Sequence, residues 1–194
     1  STPYSFEDVD FLLKIKVKAF KLASIHTFEP HFIKYVAKKN KPIFFSSGMA
    51  NSQDVSLAIK TFKKYSRNKK FVLMQCNTNY PSKIEESNLN VLSEYKKISK
   101  IIGYSDHTES NLSAVVAYSL GARVFEKHFT INKKLSGPDQ SSSYDVNQFK
   151  KYVEDIRNAE KSLGDKNKKI TKSEKLNFFA MRRTLVTKNN IKKD

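Results

Sequence analysis

Two histidines, His107 and His128, each follow a short apolar run and could together hold a metal ion. His107 lies in Gly-Tyr-Ser-Asp-His-Thr at residues 103–108, and His128 lies in Glu-Lys-His-Phe-Thr at residues 126–130. A helical stretch separates the two runs, which indicates a βαβ unit whose strands are parallel and often adjacent. Adjacent strands lie about 4.8 Å apart, so imidazoles at their ends can ligate one ion. The spacing therefore predicts a shared metal site.

The composition is that of a globular chain near the size of one domain. It has 194 residues, of which 39% are hydrophobic, and no apolar run approaches the roughly 20 residues of a membrane span. We therefore expect no membrane partner. The single cysteine, Cys76, excludes an internal disulfide and predicts a cytoplasmic location. No signal peptide is visible and no initiator methionine precedes Ser1, so we expect the chain to begin partway into a gene product.

The net charge of +17 would attract anions such as nucleic acid, membrane surfaces or phosphorylated metabolites. A nucleic-acid interface usually combines arginines with interleaved aromatic residues in one compact patch. Here most of the 36 basic residues are lysines scattered along the chain. This pattern favours a solvated, lysine-rich surface over a nucleic-acid-binding face.

Strand-like and helical segments alternate along the chain, which predicts a parallel sheet covered by helices. The strand-like runs are Ala19–Ala23, Pro42–Phe45, Phe71–Met74, Ile101–Ile102 and Ala122–Phe125. Helix-period patterns lie between them, and the longest runs from near Asp145 to Gly164. A doubly wound sheet and a (β/α)8 barrel both fit this order. In either fold the functional residues gather at the carboxyl ends of the strands.

Polar residues follow every one of these runs, which points to a single enzyme pocket. They are Ser24, Ser46-Ser47-Gly48, Asn77 to Tyr80, Ser105 to His107, and Lys127-His128. Lys21 stands inside an apolar strand, where a lysine usually needs an anionic partner. Taken alone, Ser46-Ser47-Gly48 indicates an ordinary strand-to-helix turn, and Tyr80-Pro81 and Asp139 are also compatible with turns. His26 and His31 are expected at the surface or in loops, and Cys76 is expected to be a buried thiol.

Several strings resemble the sialic acid synthase family of the N-acetylneuraminate synthase type. In family order, they are residues 1–3, 21–24, 41–43, 46–49, 76–81, 102–108, 126–130, 137–139 and 182–183. The resemblance implies a (β/α)8 barrel that condenses phosphoenolpyruvate with an N-acylated amino sugar, N-acetylmannosamine in the type reaction, and releases phosphate. It also implies a divalent metal, typically manganese, and a homodimeric full-length protein.

The same resemblance assigns roles to individual residues. His107 and His128 would ligate the metal. Lys21, Tyr80 and Asp139 would be catalytic, and Tyr80 and Asp139 would face the sugar. The residues expected to hold phosphoenolpyruvate are Thr2, Lys21, Ser24, Ser46 and Ser105. One departure concerns the acceptor sugar, because the acidic residue that usually follows the Lys-x-x-Ser strand is replaced by His26, with Glu29 close by.

The resemblance further implies that residues 1–164 form a partial barrel, strands four to eight with their helices. Residues 165–194 would then be a linker and the start of a C-terminal antifreeze-like domain. In such a piece we expect Phe20 and Phe125 to lack a regular covering layer. We also expect the 194-residue chain to be inactive alone and prone to aggregation. The alternatives are a legionaminic or pseudaminic acid synthase, a basic nucleic-acid-binding protein, and an inactive remnant that serves as a binding module.

Overall fold

A computed structural model describes residues 1–193, with the side chain of Phe179 left out; Asp194, the last residue of the predicted C-terminal segment, lies outside the described residues. The chain divides into two units, Ser1–Ser162 and Leu163–Asp194. The strands of the first unit are β1 (Phe20–Leu22), β2 (Ile43–Ser46), β3 (Phe71–Cys76), β4 (Ile101–Asp106) and β5 (Val124–Lys127). The predicted alternation of strands and helices is confirmed.

Four helices of the first unit connect consecutive strands, one precedes β1 and one follows β5. Local capping residues fix where two of them begin. The helices are α1 (Phe6–Lys14), α2 (Pro30–Lys38), α3 (Ser52–Tyr65), α4 (Val91–Ile98), α5 (Leu112–Ser119) and α6 (Val146–Leu163). Ser5 and Asp8 form a reciprocal capping box before α1, and Asn51 and Asp54 do the same before α3. Short 3-10 helices follow β1 at Ser24–Phe28 and β3 at Ile84–Ser87.

In the described residues the sheet contains five parallel strands in the order β1-β2-β3-β4-β5. In a flat sheet the outer two would be about 19 Å apart, at about 4.8 Å per strand. Yet Lys21 Nζ on β1 lies 3.4 Å from Glu126 Oε1 on β5. The sheet therefore curls into a half-barrel whose inner face brings the two edge strands together. That these strands are numbers four to eight of a full barrel stays a prediction.

The main core lies between the outer face of the sheet and the helices. Phe20, Ile43 and Leu73 from three strands are almost fully buried there against helical residues such as Ile33 and Phe62. The expectation that Phe20 would lack a regular cover is therefore wrong, because its side chain faces the helix layer. Phe125 is partly buried and packs against a smaller cluster, which consists of Ala114, Tyr144 and Tyr152.

β4 extends four residues beyond the predicted run, through Gly103 to Asp106. The longer strand is stable because the side chain of Tyr104 enters the core and Ser105 and Asp106 are buried with polar partners. Gly103 is required by close packing, since a Cβ there would lie 2.7 Å from the carbonyl oxygen of Val124 on β5. Residues 103–106 of this motif thus belong to the strand, and His107 follows directly after it.

The second unit contains α7 (Glu174–Met181), which the sequence pattern did not predict. Its start is held locally: the Thr171 amide donates to Glu174 Oε2 at 2.8 Å, and the Glu174 amide donates to Thr171 Oγ1 at 3.2 Å. The assignment of residues 165–194 to a linker and an antifreeze-like domain stays a prediction. Within residues 1–193, no helix combines the length and apolar character needed to cross a bilayer.

Candidate active site

Side chains at the carboxyl ends of β4 and β5 alternate between two faces of the sheet. Ser105 pairs with Glu126 in the parallel register, and Asp106 pairs with Lys127. Because successive side chains of a strand point to opposite faces, Ser105 and Glu126 share the inner face. Asp106 and Lys127 share the outer, helix-covered face. The adjacency of these two parallel strands, on which the metal prediction depended, is confirmed.

The two histidines lie together beyond these strand ends. Their ring centroids are 5.1 Å apart and the rings are nearly perpendicular. Tyr80 contacts both rings, with centroid distances of 4.3 Å to His107 and 5.1 Å to His128. The structure therefore brings together three of the residues that the sequence assigned to the site.

His107 is prepared to act as a neutral ligand. Burial lowers the pKa of its imidazole, and the nearby His128 lowers it further, although the Asn77 carbonyl opposes the shift. The carbonyl oxygen of Asn77 makes a close contact with His107 Nδ1. If Nδ1 carries the proton and donates it to this carbonyl, the lone pair of Nε2 is free for a metal, which is the usual arrangement of a metal-binding histidine.

His128 has a carboxylate beside it and is more open to solvent. Asp139 Oδ2 lies 3.7 Å from His128 Nδ1, and the His128 side chain is 31% exposed. In residues 1–193 no group of three or more His, Cys, Asp or Glu side chains is arranged to hold a metal. The donor set of two imidazoles fits a divalent metal whose remaining positions are open to substrate oxygens and water. The metal itself stays a prediction.

A second cluster joins Lys21, Glu126 and Ser105 across the curled sheet. Lys21 Nζ lies 3.4 Å from Glu126 Oε1, and the Ser105 hydroxyl donates to the same oxygen at 2.8 Å. The Lys21 side chain is only 15% exposed. A cation and a hydroxyl donor are thus held together on the inner face. Both would suit an anionic group of a substrate.

Ser24 and Ser46 lie where β1 and β2 end. The Ser24 hydroxyl accepts a hydrogen bond from the Gly48 amide at 2.9 Å and contacts Cys76 Sγ at 3.5 Å. Gly48 permits this approach, since a Cβ there would lie 2.7 Å from Ser24 Oγ. The hydroxyl of Ser46 is buried and has no hydrogen-bond partner among the described residues. An unsatisfied buried donor of this kind marks a place where a bound group could supply the missing partner.

Thr2 is placed beside β1 by its neighbour, because the Ser1 carbonyl accepts a hydrogen bond from the Lys21 amide at 2.8 Å. Cys76 is buried, and burial raises the pKa of its thiol, so it is protonated near neutral pH. Burial also raises the pKa of Tyr80 to about 12, so its phenol can donate a hydrogen bond at neutral pH. These two residues contribute neutral groups to the site.

The NeuB family model matches residues 1–168. The chain belongs to the NeuB family. An N,N'-diacetyllegionaminic acid synthase from Campylobacter jejuni is 38% identical over all of this chain and 58% of its own length. A pseudaminic acid synthase from the same species is 37% identical over 85% of this chain and 48% of its own. The chain thus spans about half the length of these curated relatives.

A solved structure from Leptospira borgpetersenii, titled an N-acetylneuraminic acid (sialic acid) synthetase, has the same fold. It superposes with a TM-score of 0.80 over 94% of this chain and 65% of the solved chain, at 27% sequence identity. The resemblance to the sialic acid synthase family and the α/β half-barrel are therefore shown. The roles of the individual NeuB site residues are not settled by these similarities and stay predictions.

Sequence reasoning missed Glu126 as a site residue, although it stands in the same motif as His128. A strand alternates its faces, so Glu126 and His128, two residues apart, point the same way.

The expectation that His26 lies at the surface or in a loop is wrong. His26 is 2% exposed, packs on the Phe32 ring at 4.5 Å, and has Nδ1 2.9 Å from Glu29 Oε2.

Proposed function

We propose that this NeuB-family chain carries the metal and phosphoenolpyruvate half of a synthase that makes a sialic-acid-type sugar. The reaction joins phosphoenolpyruvate to an N-acylated amino sugar and releases phosphate. The observation that carries this proposal is the convergence of two imidazoles, Tyr80 and the Lys21–Glu126–Ser105 cluster on one inner face. Family membership supports the reaction class.

His107 and His128 would hold a divalent metal, for which we propose manganese. When bound, the metal would polarise the aldehyde of the acceptor sugar as a Lewis acid. The protein prepares the site by keeping His107 neutral and fixing its Nδ1 against the Asn77 carbonyl. Tyr80 packs on both rings.

Lys21 would neutralise the anionic groups of phosphoenolpyruvate, and Glu126 holds its ammonium in place before the substrate binds. Ser105 steadies Glu126 through its hydroxyl. Further donors near the same anion would come from Ser24, Thr2 and Ser46, whose buried hydroxyl has no hydrogen-bond partner among the residues that the structure describes. Charge-assisted hydrogen bonds of this kind position the substrate as well as bind it.

Tyr80 and Asp139 would face the acceptor sugar. The Tyr80 phenol is neutral and can donate, and the Asp139 carboxylate can accept from sugar hydroxyls. Similar proteins are named synthases of legionaminic and pseudaminic acids. We propose as acceptor either N-acetylmannosamine or an amino sugar with two N-acyl groups. The buried His26, in place of an acidic residue, gives no preference among these acceptors.

The proposal is tested by binding, because we expect the 194-residue chain to have no turnover by itself. Calorimetry of the purified chain with phosphoenolpyruvate, with and without Mn²⁺, should show one saturable site. The substitution Ser46→Ala should weaken binding of phosphoenolpyruvate, whereas the exposed Ser119→Ala should not. Absence of saturable binding by the folded chain would refute the proposal.

A phosphate-release assay with a panel of acceptor sugars completes the test. We expect no release above background with N-acetylmannosamine or with its di-N-acyl counterparts. Turnover with one of these sugars would identify the acceptor. It would also contradict our expectation that the chain is inactive alone.

A further inference from the structure

A buried ion pair lies directly behind the two histidines. Asp106 on β4 and Lys127 on β5 are register partners, and each immediately precedes one histidine. Asp106 Oδ2 lies 3.3 Å from Lys127 Nζ, and the side chains are 0% and 2% exposed. Both point to the helix-covered face, so neither can reach a substrate on the inner face.

The pair also contacts Thr108, the residue that follows His107. Asp106 Oδ1 accepts hydrogen bonds from the amide and the hydroxyl of Thr108, both at 2.8 Å. Lys127 Nζ makes a close contact with the Thr108 carbonyl. The residues on both sides of His107 are therefore tied to the strand that carries His128.

Tyr144 contacts both the backbone around His128 and the side chain of Lys127. Its amide donates to the His128 carbonyl at 2.9 Å, and its carbonyl accepts from the Thr130 amide at 2.9 Å. Its ring lies against the Lys127 ammonium, 4.1 Å from Nζ to the centroid. The backbone around His128 and the charged end of Lys127 are thus fixed by the same residue.

A buried ion pair is a costly way to stabilise a fold, because both charges lose their hydration. Its best-attested use is to specify one arrangement among alternatives. A slip of one residue between parallel strands would send one histidine to the opposite face. It would also separate Asp106 from Lys127 inside the apolar layer, so the pair penalises that slip.

We propose that Asp106 and Lys127 are positioning residues that set the separation and orientation of His107 and His128 for a divalent metal. The metal-binding part of this inference rests on the proposed function. The positioning of the two imidazoles does not depend on it. The pair would lie behind the ligands of the metal site, on the helix-covered face of the sheet, and it contacts neither imidazole.

The test replaces the pair with neutral side chains of similar length, in the double variant Asp106→Asn/Lys127→Met. The matched control is Asp10→Asn/Lys39→Met, which makes the same two substitutions in the Asp10–Lys39 ion pair between α1 and the end of α2. Mn²⁺ affinity is measured by electron paramagnetic resonance of the free ion. We expect the double variant to bind Mn²⁺ several-fold more weakly than the parent and the control variant to bind it as the parent does.

A metal-free measurement separates this inference from the proposed function. The sequence has four histidines, so long-range ¹H–¹⁵N spectra of the imidazoles are simple to assign. We expect the signals of His107 and His128 to shift in the double variant while those of His26 and His31 stay. If the parent chain binds no Mn²⁺, the proposed function fails, but these spectra still decide whether the pair positions the rings.

A purely structural role would give a different result. The double variant would then unfold at lower temperature, yet match Asp10→Asn/Lys39→Met in Mn²⁺ affinity and in all four imidazole signals, and the inference would be overturned. If the double variant does not fold, Thr108→Val decides instead. It removes one hydrogen bond to Asp106 and should shift the His107 signals and weaken Mn²⁺ binding several-fold; unchanged values would refute the inference.

Discussion

Replacing Lys21 with methionine removes the cation that we assign to phosphoenolpyruvate while keeping the length of the side chain. In the parent, the ammonium is mostly shielded from solvent and lies 3.4 Å from the Glu126 carboxylate. The variant therefore loses an attractive partner for the substrate. It also leaves Glu126 without its counter-charge, so the carboxylate repels the incoming anion.

The size of the effect follows from the contact that is lost. A hydrogen bond to a charged group contributes about 1.5–3 kcal/mol, which corresponds to roughly 10- to 150-fold in dissociation constant. Glu126 is 39% exposed, so solvent screens its repulsion and we add nothing for it. Calorimetric titration with phosphoenolpyruvate should therefore show at least about a tenfold weakening.

Lys39→Met is the matched control. Lys39 also forms an ion pair with a partly exposed carboxylate, Asp10, at 2.8 Å, and its side chain is 22% exposed. It lies between the end of α2 and the start of β2, at the edge of the sheet where the parallel strands begin rather than where they end. Both variants lower the net charge of +17 by one unit, so a general attraction of anions changes equally. Equal dissociation constants for the two variants would refute the assignment of Lys21.

Two further predictions concern the frame around the site. Gly48→Ala places a Cβ 2.6 Å from Thr78 Cγ2 and 2.7 Å from Ser24 Oγ, so urea denaturation should show a loss of about 1–3 kcal/mol; an unchanged midpoint would mean that the loop has room to move. Burial raises the pKa of the Tyr95 phenol, so the unfolded chain releases this proton first as pH rises above about 10. The free energy of unfolding should then fall with pH, less steeply in Tyr95→Phe; equal slopes would contradict the burial argument.

The sequence predicted the parallel α/β sheet and the adjacency of the two strands that precede the histidines, because its strongest patterns are local. Alternating apolar runs and helix-period segments indicated the parallel sheet, and the two histidine motifs indicated one shared edge. Strand ends were predicted poorly where polar residues continue a strand. The predicted run stopped at Ile102, yet the strand continues to Asp106, because Tyr104 enters the core and Asp106 is paired with Lys127.

Contacts between distant residues account for what the sequence could not predict. The Lys21–Glu126 pair joins the two edge strands only because the sheet curls, and no local pattern reports that curvature. Phe20 is buried because its side chain faces the helices, which depends on the register of β1. Helix α7 begins inside a charged stretch that indicated a linker.

The most direct test of the account is a Mn²⁺ titration of the folded chain, followed by electron paramagnetic resonance. The account predicts one site per chain that is lost in His107→Ala and in His128→Ala and kept in His31→Ala. The ring centroids of His107 and His128 lie 5.1 Å apart, whereas His31 is exposed. Binding that survives in both His107→Ala and His128→Ala, or no binding by the parent, would contradict the proposed metal site.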